Sequence, residues 1–143
     1  MTVNQFMTKE HRNCDEEFAE LENIVDSGDF TKAEPILKDF LDHMNHHFSM
    51  EETVMFPEYN NCTGGGCNPT TVMIIEHEQM RTLFSQMEEA LIKKDKNQFL
   101  GSSENLLFVM QQHNMKEEQM MYNMVDSALN SEDIITKMKA VSL

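Results

Sequence analysis

Two short stretches of this 143-residue chain each set a histidine four residues before a glutamate. In HHFSMEE (46–52) the pair is His47 and Glu51, and in HNMKEE (113–118) it is His113 and Glu117. Imidazoles and carboxylates bind transition metals and also carry protons. On a helix, residues i and i+4 share a face, so each pair could aim both groups at one point. His11 and His77 lie in similar runs, among residues that otherwise read as buried helix.

The elements that carry these groups are punctuated by glycine and proline. Of the five glycines three stand together, in NNCTGGGCNP (60–69); Ser27-Gly28-Asp29 and Lys93-Lys94-Asp95-Lys96 mark two further breaks. Between the breaks the apolar residues recur at steps of three and four, which predicts helices over 3–26, 31–56, 69–93 and 95–124, with a short one over 131–138. Thr31 with Glu34 and Asp95 with Gln98 fit capping boxes, Pro35 fits a first turn, Asn68-Pro69 fits a helix start, and Pro57 is expected to help end the second helix. No segment alternates with period two. The expectation is an all-α protein: one domain over 1–143, an up-down-up-down four-helix bundle with a short C-terminal helix.

Each inward stripe carries one histidine. The stripes are Met7, His11, Cys14, Phe18, Leu21 and Val25, then Leu37, Phe40, Met44, His47, Glu51 and Val54. On the third and fourth helices they are Met73, His77, Met80, Phe84, Met87 and Leu91, then Leu106, Met110, His113, Glu117, Met120 and Met124. In an antiparallel bundle at 1.5 Å per residue, the first three histidines stand ~12–13 Å from the same end and His113 ~19 Å. A single histidine on such a stripe is ordinarily a hydrogen-bonded core residue. Four of them at similar height, with two carboxylates that are costly to bury alone, form a metal-binding constellation.

The donor set narrows the metal. Six nitrogen and oxygen ligands without a thiolate do not suit structural zinc, and calcium or magnesium sites do not use four histidines. Imidazole with carboxylate suits iron, with manganese as the other candidate. Two glutamates from different helices could bridge two ions with two histidines on each. No glutamate lies three residues before any of the six histidines, so the Glu-x-x-His arrangement of ferritin-like bundles is absent.

Composition excludes other classes. With 25 acidic against 11 basic residues the net charge is −14, which repels nucleic acid. No apolar run approaches the ~18–20 residues of a membrane span. The N-terminus does not read as a signal peptide, and three cysteines leave one unpaired in any disulfide scheme, so the expected location is cytoplasmic with reduced thiols.

His11, HFSMEE (47–52), IEH (75–77) and HNMKEE (113–118) together resemble the hemerythrin-like proteins of the HHE type, over almost the whole chain. The glycine-rich loop leading into VMIIEH also resembles the di-iron proteins that repair iron–sulfur clusters after nitrosative or oxidative stress. The resemblance implies an oxo- and carboxylate-bridged di-iron centre held by His11, His47, His77, His113, Glu51 and Glu117. Oxygen-carrying hemerythrins have a further histidine at the position of Met73 and end in His-x-x-x-x-Asp where this chain has His113-x-x-x-Glu117, which turns the expectation away from simple oxygen carriage. The repair proteins are usually longer, with an N-terminal cysteine-bearing domain.

Other residues are secondary candidates. His43, one turn before His47, could be a further ligand or an orienting partner. Asp15, one turn after His11, could ligate or orient, and Glu76 could gate the site or accept a hydrogen bond beside it. His46 is expected in solvent; Tyr59 and Tyr122 could be redox-active, with packing or surface roles the expectation. Cys62 and Cys67, in C-x4-C spacing, could form a redox pair. The fourteen methionines read mainly as adaptable core packing. Two functions fit: reaction of the centre with oxygen, nitric oxide or peroxide in stress response or iron–sulfur cluster repair, with iron–sulfur proteins as partners, and reversible binding of O2 or NO for storage, delivery or sensing. Iron storage fits less well, because nothing in the sequence suggests a cage.

Overall fold

A computed structural model describes residues 1–64 and 68–142, the side chain of Asn68 excepted. Helix α1 (Val3–Asp26) runs up, and α2 (Phe30–Met50) runs down beside it. The second rod continues through a π-helical turn (Glu51–Met55) into α3 (Phe56–Thr63). Helix α4 (Asn68–Ile92) rises, and α5 (Lys96–Lys116) returns through a second π turn (Glu117–Met121) into α6 (Tyr122–Ala128). A short α7 (Ser131–Lys139) packs against α1 and the first π turn. The described residues contain no strand. The result is the expected all-α, up-down-up-down bundle with a short C-terminal helix.

Local signals set the helix starts. Thr2 caps α1 in a reciprocal box with Gln5. Asp95 caps α5, accepting from the Gln98 backbone N–H at 3.0 Å, as its sequence implied. The second helix begins earlier than expected: Asp29, not Thr31, is its cap, accepting from Lys32 N at 3.0 Å. Pro35 therefore lies in the second turn rather than the first. Gly28 makes the tight connection possible, with φ of +85° in the left-handed region open to glycine. The Asp126 carboxylate, on α6, receives the first free N–H groups of α1, from Val3 at 2.7 Å and Asn4 at 3.1 Å, and also the Ser131 hydroxyl at 2.7 Å. One acid thus fastens the start of the chain to its last two helices.

Pro57 does not end the second rod. It directly follows the π turn, in the first turn of α3, where the helical ladder is already displaced and Phe56 N–H reaches back to Glu51 O. The π turns also change which residues face inward. A continuous α-helix would bury Val54, Met120 and Met124; instead Met55, Met121, Tyr122 and Val125 are buried, while Met120 is exposed. Each π turn inserts about one residue per turn and rotates everything beyond it.

The apolar interior falls into two bodies. One is built around Phe18, Leu21, Phe40, Phe48, Phe84, Met87, Phe99 and Leu106. The other holds Val3, Met7, Met50, Met55, Phe56, Met73, Met121, Tyr122 and the inward face of α7, Ile134, Ile135 and Met138. Each large apolar side chain buried this way contributes ~1.5–3 kcal/mol. His11, His47, Glu51, His77, His113 and Glu117 follow the apolar residues of one body and precede those of the other along their helices, and all are buried. No helix among the described residues is long and apolar enough to cross a membrane.

Candidate metal centre

The two pairs of imidazoles meet at one level. The ring centroids of His11 and His47 are 4.8 Å apart, and those of His77 and His113 4.9 Å. His113, placed higher by counting residues, is in the same layer, because the other descending rod also runs on past its π turn, leaving 16 residues from His47 to Thr63 and 15 from His113 to Ala128. Each glutamate reaches one histidine of each pair. Glu51 Oε1 lies 3.4 Å from His47 Nε2 and 3.1 Å from His77 Nε2; Glu117 Oε1 lies 3.2 Å from His11 Nε2 and 3.0 Å from His113 Nε2. The ligand atoms group as Glu51, His77, His113 and Glu117 on one side, and His11, His47 and Glu117 on the other.

The spacing suits a metal better than a hydrogen-bond network. Two ligands at right angles on an ion with ~2.1 Å bonds stand ~3.0 Å apart. His77 Nε2 and Glu51 Oε1 are near that separation, yet neither is aligned to hydrogen-bond the other, and His113 Nε2 and Glu117 Oε2 are likewise without a hydrogen-bond partner. Buried polar atoms are normally paired. Atoms that face a shared space instead of one another are placed as ligands around a cation.

Behind three of the imidazoles stands a carboxylate. His11 Nδ1 meets Glu118 Oε2 at 2.7 Å, His77 Nδ1 meets Glu52 Oε2 at 2.5 Å, and His113 Nδ1 meets Glu76 Oε1 at 2.9 Å. Each favours the Nδ1–H tautomer and leaves the Nε2 lone pair facing the layer. Glu76 thus orients a ring, one of the roles considered for it from sequence. Glu52 and Glu118 were not singled out. Their signal was present: each glutamate of the two His-x-x-x-Glu pairs is followed by a second one. Arg81 supports Glu52, with Nη2 at 3.1 Å, and its guanidinium lies over the Phe48 ring, which stacks on His77 at 4.0 Å. Lys116 pairs with Glu76. The fourth ring, His47, has no partner at Nδ1 among the described residues.

Protons show how strongly the layer attracts cations. Burial works against a charged imidazole, but Glu117 and Glu118 raise His11 to about 10, and Glu51 and Glu52 raise His77 to about 9. Burial and the adjacent Glu117 carboxylate push Glu51 up to about 8. Glu117 is held well below the usual carboxylate range, because His113, Glu51 and His11 outweigh its burial. Burial and the charge of His11 hold His47 well below an ordinary imidazole. At neutral pH protons on His11, His77 and Glu51 balance the buried acids, in positions where a metal ion would displace them.

The remaining candidates lie elsewhere. His43 is at the surface, hydrogen-bonded to Glu17 at 2.8 Å, so it neither ligates nor orients. Asp15 is exposed and feels His11 and Glu118 only through their charges. His46 is not free in solvent: its Nε2 binds the Val141 carbonyl at 2.9 Å and ties down the C-terminal segment. Cys62 is exposed, with its thiol 3.4 Å from the Ala128 carbonyl, and Cys14 is buried. Cys67 lies outside the described residues, and with it the question of a cysteine pair.

Tyr122 differs most from expectation. Its hydroxyl lies in the layer, 2.8 Å from Glu51 Oε2, 2.9 Å from Glu117 Oε1, 3.0 Å from His11 Nε2 and 3.4 Å from His47 Nε2. A straight helix would not turn it inward; the π turn does.

The family model of the Hemerythrin HHE cation binding domain matches residues 2–125. No curated protein and no solved structure matched the chain. The match and the buried histidine–glutamate groups identify a metal-binding protein.

Proposed function

Starting from the fact that the chain belongs to the hemerythrin HHE cation-binding family, we propose that its buried layer holds two iron ions. One would sit between His11 and His47, the other between His77 and His113, with Glu51 and Glu117 reaching both. The observation that supports this most directly is the set of buried ligand atoms that face a common space without pairing. Manganese accepts the same donors, and metal analysis separates the two.

We further propose reaction with small diatomic molecules, oxygen or nitric oxide, or with peroxide, in stress response or iron–sulfur cluster repair. Bound iron would supply open coordination positions and one-electron chemistry. The chain's own residues set the conditions for it. Met7, Met50, Met55, Met73 and Met121 wall one side of the layer with apolar surface that excludes bulk water. Glu52, Glu76 and Glu118 fix the rings, and a buried histidine or glutamate can hold a proton beside the ions. Met73 presents a thioether where oxygen carriers have a histidine, leaving the centre short of one nitrogen donor.

Iron analysis with Mössbauer spectroscopy, on protein from iron-replete cells, tests the centre: two coupled irons per chain are expected. Stopped-flow spectra of the reduced protein with oxygen and with nitric oxide then test the reactivity. Rapid irreversible oxidation supports redox chemistry; a stable, reversible adduct would point to storage, delivery or sensing instead.

A further inference from the structure

The two halves of the metal layer are built alike, with one chemical difference. In the first, His47 is followed by Glu51, Glu52 and, after the π turn, Phe56; in the second, His113 is followed by Glu117, Glu118 and Tyr122. In both, the glutamate starts the π turn and the aromatic residue five positions on is turned inward and buried. Phe56 lies beside His77, its ring 6.1 Å from the imidazole. Tyr122 lies beside His11, at 5.6 Å between ring centroids. A hydroxyl is thus delivered to the His11–His47 side, while the other side receives a bare ring.

The hydroxyl's neighbours make it more than packing. Four ligand atoms surround Tyr122 Oη at 2.8–3.4 Å, one from each of Glu51, Glu117, His11 and His47. A phenol has one hydrogen to donate. With one hydrogen and two lone pairs it can make at most three hydrogen bonds, whereas four ligand atoms converge on this one oxygen. The separations are those of adjacent ligands on an ion with ~2.1 Å bonds, ~3.0 Å apart. The His77–His113 group has two carboxylates close by, whereas the His11–His47 group has one. The side with fewer acidic donors is the one that receives the phenol.

We propose that Tyr122 is a metal ligand, its phenolate oxygen bound to the iron ion held by His11 and His47. This rests on the di-iron reading above. On binding, the O–H bond breaks, an O–Fe bond forms and the proton leaves to solvent. The two ions are then inequivalent, one bound by a phenolate and the other not, and the phenolate occupies a position that would otherwise be open to a small molecule. Entry of oxygen or nitric oxide is directed to the His77–His113 ion, on the Met73 side.

The test uses the full chain, loaded anaerobically with ferrous iron, oxidised with ferricyanide, and measured by visible absorption and resonance Raman spectroscopy. A phenolate-to-iron charge-transfer band with tyrosinate ring modes is expected, and the modes should shift when the protein carries ring-deuterated tyrosine. Tyr122→Phe should lose band and modes completely while still binding two irons. It should also fold, since the equivalent position already holds Phe56. Tyr59→Phe, which alters the chain's other tyrosine, should keep both. Ferric wild type with two irons and no tyrosinate modes, or modes that survive in Tyr122→Phe, overturns the assignment and leaves the di-iron centre standing. Failure of the wild type to bind iron overturns the centre itself, and the ligand with it.

Discussion

Replacing Glu52 asks whether the carboxylates behind the imidazoles set the strength of the metal centre. Glu52 Oε2 stands 2.5 Å from His77 Nδ1, and Arg81 anchors the same carboxylate at 3.1 Å. His77 is fully buried, with its other nitrogen 3.1 Å from Glu51. A hydrogen bond to a charged partner is worth ~1.5–3 kcal/mol. Loss of such an orienting group typically weakens metal binding ~10–100-fold, or ~1.4–2.7 kcal/mol. Glu52→Gln keeps the size and an accepting oxygen but removes the charge, so ~10-fold is expected; Glu52→Ala removes both and should approach ~100-fold. Chelator competition at fixed pH, with iron counted per chain, measures the change. One ion, that beside His77, should leave first and the other should be retained. Glu58→Gln provides the control, since Glu58 is half-buried and pairs with Lys137 at 2.8 Å. Unchanged affinity in both Glu52 variants, or an equal loss in Glu58→Gln, would refute the reasoning.

Glu51→Ala and Glu117→Ala should each lower iron below two per chain, because each carboxylate contacts a histidine of both pairs; full occupancy in both variants would show that neither bridges. Loaded protein should melt above chelated protein, by ~2.7 kcal/mol where free metal is ~100 times its dissociation constant, and equal melting temperatures would argue against a shared core site. With the metal chelated, the raised His11 and His77 contribute stability that is complete below the ordinary imidazole value of 6.5 and lost as pH rises through about 9 and about 10. Glu51, raised from 4.5 to about 8, adds a loss in the same direction across that lower window. His47, held well below 6.5, adds a gain as pH rises toward that value and offsets the Glu51 loss there, so thermal melts of chelated protein should fall from about pH 7 to pH 10, and a flat profile over that range would contradict the assigned protonation.

Much of this protein is written in local pattern. Steps of three and four residues placed the helices, because a helix must bury one face. Asp95 and the tail at Ser131 could be read for the same reason, since caps depend on residues a few positions away. The four histidines with Glu51 and Glu117 were legible because polar groups interrupt otherwise apolar stripes at similar heights. Those readings needed no knowledge of what faces what.

What only the tertiary structure decided lies beyond the two π turns and across the helix interfaces. A single extra residue in a turn rotates all that follows, so Val54, Met120 and Met124 gave way to Met55, Met121 and Tyr122 at the core. No fixed period can anticipate that rotation. Glu118 against His11 and Glu52 against His77 are contacts between different helices, as is Glu17 against His43, which draws that histidine to the surface. Sequence spacing determines which residues share a face; the packing of one face on another determines which of them meet a metal.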